Sequence, residues 1–459
     1  MPFISNTPQQ QKQMLAEIGL TMDEPSPSKG LDELFADIPP EIRCSSLDLP
    51  AGLTEQQVHK ALTEIAEKDS VSPVRDAARL TCFLGGGFYD HFIPAAVYSI
   101  ISRSEFYTAY TPYQPELSQG TLQAIYEYQS AICRLTGMEA ANASLYDGGT
   151  AIYEAVMMAM RITGRNKIII DDSVNPIYRV MIRSYTMNLQ IDFEHTNSSD
   201  GLANHEQILN DIDDKTAAVI LQNPNFFGCI DDFTDIADAA HKKGALLIVS
   251  SYPLSLGILK TPAEMDADIV TGEGQSLGMP LSFGGPYLGF MATRKKYVRK
   301  MPGRIVGETK DRFERRSFVL TLQAREQHIR RDKATSNICT NEGLCALTAL
   351  VYMSLLGKEG LRETAQLCAD KAQYAYERLT AIPKVEPRFK DRPFFNEFVI
   401  DLPFEAADVT AELIEKGFAV GFPLSRYYRK MEKSMLICVT EKRTSRQISD
   451  LAEALERVL

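Results

Sequence analysis

The stretch Gly272-Glu273-Gly274-Gln275-Ser276-Leu277-Gly278, continuing to Gly284-Gly285-Pro286 and Leu288-Gly289-Phe290, decides the fold. The apolar run Asp268–Thr271 leading into it reads as a short strand, the glycines as a sharply bending loop, and Leu288–Ala292 as a strand that returns. Upstream, β-branched runs recur at Lys167–Asp171, Leu189–Phe193, Ala217–Leu221 and Ala245–Ser250. Helical patterns accompany them at Gly120–Gly137, at Asp232–Lys243 and at Thr150–Arg161, where Ala151, Ala155 and Ala159 share one face. Such alternation predicts an α/β fold with a mostly parallel sheet covered by helices on both sides.

Toward the ends the pattern changes. Residues 1–75 read as a helical N-terminal arm. Thr7-Pro8 opens a helix whose apolar residues Met14, Leu15 and Ile18 stop at Gly19, and Leu31–Phe35 is a second short helix. Thr54 with Gln57 forms a capping box for a third, Thr54–Glu67. Between them Pro25–Gly30 is a cluster of helix breakers. Beyond Asn341 come helices Glu342–Leu356 and Leu361–Leu379, then strands Phe395–Asp401 and Met435–Thr440 around the helix Ala406–Lys416. The division is therefore an arm (1–75), a large domain (76–325) and a small α+β C-terminal domain (326–459).

Bulk properties narrow the function. A net charge of −11 argues against a broad nucleic-acid surface. The eight cysteines are scattered, without a CxxC pair, which argues for reduced thiols and against a structural metal site, so no metal is expected. No leader-like start and no run of 18 apolar residues is read, so the expectation is a cytoplasmic protein without a membrane role.

The order of strand, glycine-rich loop and return strand resembles the large domain of fold-type I pyridoxal-phosphate (PLP) enzymes. Asp147-Gly148-Gly149-Thr150 at a helix start suits a phosphate, although loop glycines with a threonine cap explain it equally. In that fold a lysine forms the Schiff base just after the strand at Asp268–Thr271. Here the position falls on Gln275, and no lysine stands between Thr261 and Arg294. Only an amine condenses with the cofactor aldehyde. The aspartate that pairs with the pyridinium nitrogen is replaced by Tyr252, a loss of about 1.5–3 kcal/mol of charge-assisted bonding. The ring-stacking position is Asn175. The implied protein keeps the fold and holds no PLP covalently.

Two long segments carry a closer resemblance: Tyr107-Thr108-Ala109-Tyr110-Thr111-Pro112-Tyr113-Gln114-Pro115-Glu116-Leu117-Ser118-Gln119-Gly120, and Arg325 through Thr340, reading REQHIRRDKATSNICT. Phe83-Leu84-Gly85-Gly86-Gly87 with Tyr89-Asp90-His91, Ala141–Ser144 and Met301-Pro302-Gly303-Arg304 agree. Nearly the whole chain is similar to the glycine cleavage system P-protein, in the half that lacks the cofactor lysine. The resemblance implies a non-PLP subunit of a glycine decarboxylase, inactive alone. A heterotetramer with two PLP-bearing partner subunits would decarboxylate glycine and pass the aminomethyl group to the lipoyl arm of the H-protein. Tyr107, Tyr110, Tyr113 and Glu116 are then candidates to line a substrate or lipoyl channel, or the tyrosines simply pack an interface. Pro112 and Pro115 argue against a helix there. Arg325, His328, Arg330, Arg331 and Lys333 suit an anion, or form a solvated surface paired with Glu326 and Asp332. His91 and Cys339 remain either structural or functional. Two other readings are a homodimeric regulatory pseudoenzyme and a PLP enzyme using a displaced lysine such as Lys333.

Overall fold

The computed structural model describes residues 5–20, 32–44, 48–66, 80–282 and 284–459. Two compact units emerge, residues 1–72 and 73–459. In the first, Thr7 caps the helix Pro8–Glu17 reciprocally with Gln10, and Thr54 does the same with Gln57 at the helix Glu55–Ala66. The Pro25–Gly30 cluster lies outside the described residues, as does the first residue of the Leu31–Phe35 segment, which continues as a turn over residues 34–37.

The second unit begins with β1 (Thr81–Phe83). It is organised around seven strands: β2 (Ala140–Ala141), β3 (Lys167–Asp171), β4 (Asp192–Thr196), β5 (Thr216–Asn223), β6 (Leu246–Ser251), β7 (Ile269–Glu273) and β8 (Gly289–Thr293). Their order is β2-β8-β7-β6-β5-β3-β4. The pairs among β3 to β7 are parallel, whereas β8 runs antiparallel to β7 and β2, as a return strand must. Both faces are apolar, and the strand period of two divides them cleanly. Ile169, Val219, Leu247, Val249 and Val270 join one core with the helix Gln119–Thr136; Ile168, Ile170, Ile220, Ile248 and Ile269 join another under the helix Gly148–Thr163. Ala151, Ala155 and Ala159 are fully buried there, small enough for helix and sheet to approach closely.

The fourth strand begins three residues later than the apolar run Leu189–Phe193 suggests. Parallel pairing with β3 sets Lys167 opposite Asp192, and this edge strand exposes Asp192, Glu194 and His195. An antiparallel hairpin, β9 (Ile305–Lys310) with β10 (Arg316–Thr321), went unread because its partly exposed strands lack a long apolar run.

The long helix Gly343–Thr380 is interrupted at Gly357, whose φ of 62° and ψ of −170° belong to a region open essentially to glycine. The two expected helices are thus present as two stretches that meet at a kink at Gly357. The C-terminal layer pairs β11 (Glu386–Pro387), β12 (Glu397–Asp401), β15 (Ser434–Cys438) and β14 (Phe422–Pro423) antiparallel in that order. Helices Ala406–Glu415 and Ser445–Val458 cover it with their own apolar core. β13 (Phe418–Val420) pairs in parallel with β1, which ties residues 81–83 to this layer.

Candidate functional site

Side chains that follow the carboxyl ends of β3, β6 and β7 all reach one segment, Gly86–His91. Ligands of open α/β sheets bind at such strand ends. Gln275, buried after β7, donates from Nε2 to the carbonyls of Tyr89 (3.0 Å) and Met279 (2.7 Å), and its Oε1 accepts the Tyr89 N–H at 2.8 Å. Both halves of the amide are used, and a lysine ammonium could not accept the Tyr89 N–H. Tyr252, after β6, packs its ring 4.3 Å from that of Tyr89 and shares a hydrogen bond with His91 Nε2. Asn175 caps the helix Pro176–Thr186 through Oδ1 to the Ile177 N–H, while Nδ2 donates to the Gly86 carbonyl at 3.1 Å. The three positions where the sequence lacks cofactor anchors are therefore brought together on one segment, Gln275 and Asn175 bonded to its backbone and Tyr252 to the His91 side chain.

From the opposite side the C-terminal layer grips this segment. Glu397 of β12 accepts the Gly86 N–H at 2.7 Å and the Tyr89 hydroxyl at 2.8 Å. Glu441 accepts the Phe92 N–H at 2.6 Å and lies 2.6 Å from His91 Nδ1. Asp90 pairs with Lys442 and Arg443. Burial pushes the Glu397 carboxyl up to about 7, against its two hydrogen bonds. Burial also acts to raise Glu441, but its bonds to His91 and to the Phe92 N–H outweigh that and hold it at about 2. His91, Cys368 and Glu441 place potential ligand atoms within 4.8 Å of one another, and they are hydrogen-bonded among themselves. His91 thus has both ring nitrogens engaged inside the fold.

The helix start at Gly148 is filled from within. Its N–H donates to Glu273 Oε2 at 2.9 Å, and the Thr150 N–H to Asp147 Oδ1 at 2.8 Å. Glu273 Oε1 also accepts from Gln275 and Leu288, and burial first of all lifts this carboxyl to about 7. A β-carbon on Gly148 would stand 2.6 Å from the Tyr178 hydroxyl, and one on Gly149 2.3 Å from the Met181 sulfur. Pyridoxal phosphate does not fit these residues. The amine is replaced by a satisfied amide, the ring-nitrogen acid by a phenol, and the donors a phosphate would use are spent on Glu273 and Asp147.

The tyrosine segment lies elsewhere. Tyr107 ends a short helix, Ser104–Tyr107, which the prolines permit because they begin only at 112; Tyr110 and Tyr113 follow in irregular backbone. Tyr107 and Tyr110 are exposed and flank a cavity of about 150 Å³ with Tyr128, Asn341 and Leu344. Tyr113 receives the Arg304 guanidinium at its hydroxyl (2.9 Å) and meets the His328 ring edge-on. Arg304 faces Glu326 at 3.8 Å, both buried, so Glu326 does not form the solvated surface pair that the sequence suggests. Glu116 is exposed, with no hydrogen bond or ion pair among the described residues. Arg330 donates to the Ala324 carbonyl, while Arg331, at φ 55°, and Lys333 project without side-chain partners among the described residues. The two segments meet through Tyr113, Arg304, Glu326 and His328, and again where Thr340 lines the cavity beside Tyr107 and Tyr110. Glu397 and Glu441 carried no local signal of their role, since each acts on residues more than 300 positions away. The tripled glycine beside Tyr89 was the available clue.

Residues 1–455 match the family model described as glycine cleavage system P-protein. A relative from Geotalea uraniireducens, "Probable glycine dehydrogenase (decarboxylating) subunit 1", is 54% identical over the full length of both chains; one of the same description from Oleidesulfovibrio alaskensis is 51% identical, again over all of both. A crystal structure of glycine decarboxylase (P-protein) in inhibitor-bound form superposes with a TM-score of 0.91 at 42% identity, covering both chains completely. A Burkholderia pseudomallei sphingosine-1-phosphate lyase (TM-score 0.61, 16% identity, 91% of this chain and 93% of that one) shares the fold alone, which is fold-type I. With its sheet order, its glycine-gripped cleft and its full-length likeness in agreement, the chain belongs to the glycine cleavage system P-protein family.

Proposed function

We propose that this chain is the subunit of a two-subunit glycine decarboxylase that does not carry pyridoxal phosphate. The observation that carries the reading is Gln275: an amide, bonded on both sides to Tyr89, stands where an imine-forming amine would be needed. Relatives named as subunit 1 support a companion chain. In the proposed cytoplasmic assembly, two copies join two PLP-bearing partners, which decarboxylate glycine and pass the aminomethyl group to the lipoyl arm of the H-protein. The cofactor supplies the electron sink for loss of CO2 on the partner.

This chain's share is to complete the partner's pocket. Tyr107, Tyr110, Tyr113 and Glu116 present an exposed, proline-stiffened edge. Arg304 fixes Tyr113 by hydrogen bond and by lying 5.4 Å over its ring, a preorganised contact rather than a floating phenol. Arg330, Arg331 and Lys333 supply positive charge for the glycine carboxylate, a cofactor phosphate or an acidic H-protein face.

The test is reconstitution. The lone chain should be colourless and inactive, and glycine-dependent CO2 release should appear on mixing with the partner and lipoylated H-protein. Borohydride should trap the cofactor on the partner alone. Trapping on this chain, Lys333 included, or turnover by the lone chain, would overturn the proposal.

A further inference from the structure

We infer that the segment Gly85–Phe92 is a built-in occupant of the vestigial cofactor cleft, and that the Glu273 carboxylate takes the phosphate's place at the helix start of Gly148. It rests on the reading that this chain holds no cofactor, and goes further. The cleft is shut by the chain itself, so restoring the missing amine does not restore a cofactor site.

Were the cleft merely missing a lysine, it would keep space and unpaired donors. Instead the segment is bonded on both sides. Toward the large sheet it meets Gln275 twice, Asn175 once and Tyr252 through His91. Toward the C-terminal layer it meets Glu397 twice and Glu441 twice, while the Thr440 hydroxyl donates to the Asp90 carbonyl at 2.8 Å. The glycines allow this closeness. A β-carbon on Gly85 would stand 2.1 Å from Glu397 Oε1, and one on Gly87 2.8 Å from Asn175 Nδ2 at a φ of 115°. At the helix start, the Glu273 carboxyl accepts three N–H groups, of Gly148, Gln275 and Leu288, so the donors that a phosphate would need there are already spent. The same segment joins the two layers, so the occupant is also a tie that holds them together.

The test uses the full-length chain. Gln275→Lys is incubated with pyridoxal phosphate, reduced with borohydride and mapped by peptide mass spectrometry. Position 275 should show no more label than the wild-type chain's surface lysines; near-stoichiometric label at 275 would overturn the inference. Because this substitution removes bonds to Tyr89, a measurement on the wild type stands beside it. The bonded amides of Gly86, Tyr89 and Phe92 should be strongly protected from deuterium exchange, and equally so with excess pyridoxal phosphate; rapid exchange of these amides, or protection that changes on adding the cofactor, would overturn it as well. Neither assay involves activity or the partner. A failure here leaves partner-dependent decarboxylation standing, and a failed reconstitution leaves the tie intact.

Discussion

Glu397 and Glu273 are carboxyls that the fold prefers protonated. Burial is the first cause in each, lifting both from an ordinary 4.5 to about 7. Between these values the folded chain binds more protons than the unfolded one. Their contribution is therefore complete below about pH 4.5 and is lost as the pH rises through 7. Each is worth on the order of 3 kcal/mol across that window. Glu441 has the opposite sign, since its contribution holds above 4.5 and is lost as the pH falls toward 2. We predict that Glu397→Gln, which keeps an acceptor for the Gly86 N–H and turns an amide donor toward the Tyr89 hydroxyl oxygen, flattens part of the decline in urea-unfolding free energy between pH 4.5 and 7. An unchanged slope would refute the assignment. Gln275→Ala leaves the Tyr89 N–H and two carbonyls buried without partners. It should cost about 3–5 kcal/mol, read from the urea midpoint, and a loss under 1 kcal/mol would mean that the contact is dispensable.

Among the elements, the helix Gly343–Thr380 is the most exposed to a single change. Gly357 breaks it at a φ/ψ that a side chain resists, although a β-carbon there would meet nothing within 4 Å. Gly357→Ala should therefore destabilise the chain by about 1–3 kcal/mol through backbone strain alone, with no packing defect. A neutral result in thermal melts would show that the break relaxes freely. Gly149→Ala is a steric contrast, its β-carbon falling 2.3 Å from Met181 Sδ, although that flexible side chain can yield part of the way. Elements with strong periodicity were legible in sequence: Lys167–Asp171 matches β3, and the alanine face of Gly148–Thr163 is buried as read. The edge strand was displaced and the hairpin β9–β10 missed, because pairing partners rather than apolar runs fix such strands.

For the molecule as a whole, the proposal places the exposed tyrosines at a partner. Tyr110 is 75% exposed and makes no side-chain hydrogen bond among the described residues, so Tyr110→Ala should leave the lone chain's stability within about 0.5 kcal/mol. In the reconstituted assembly it should lower glycine decarboxylation or weaken subunit association, measured side by side; no change in either would remove Tyr110 from the proposed pocket. What the sequence determined by itself was the α/β class, the place of most of the main strands along the chain, and the absence of an amine at position 275. Those follow from local periodicity and from a residue's chemistry, which need no neighbours. Only the tertiary structure decided what replaces the cofactor anchors. Gln275, Tyr252 and Asn175 lie far apart in the chain and converge on Gly86–His91, while Glu397 and Glu441 arrive from more than 300 residues away. Hydrogen-bond satisfaction in a buried cleft is a property of three-dimensional packing, and no local pattern in the chain encodes which distant carboxylate completes it.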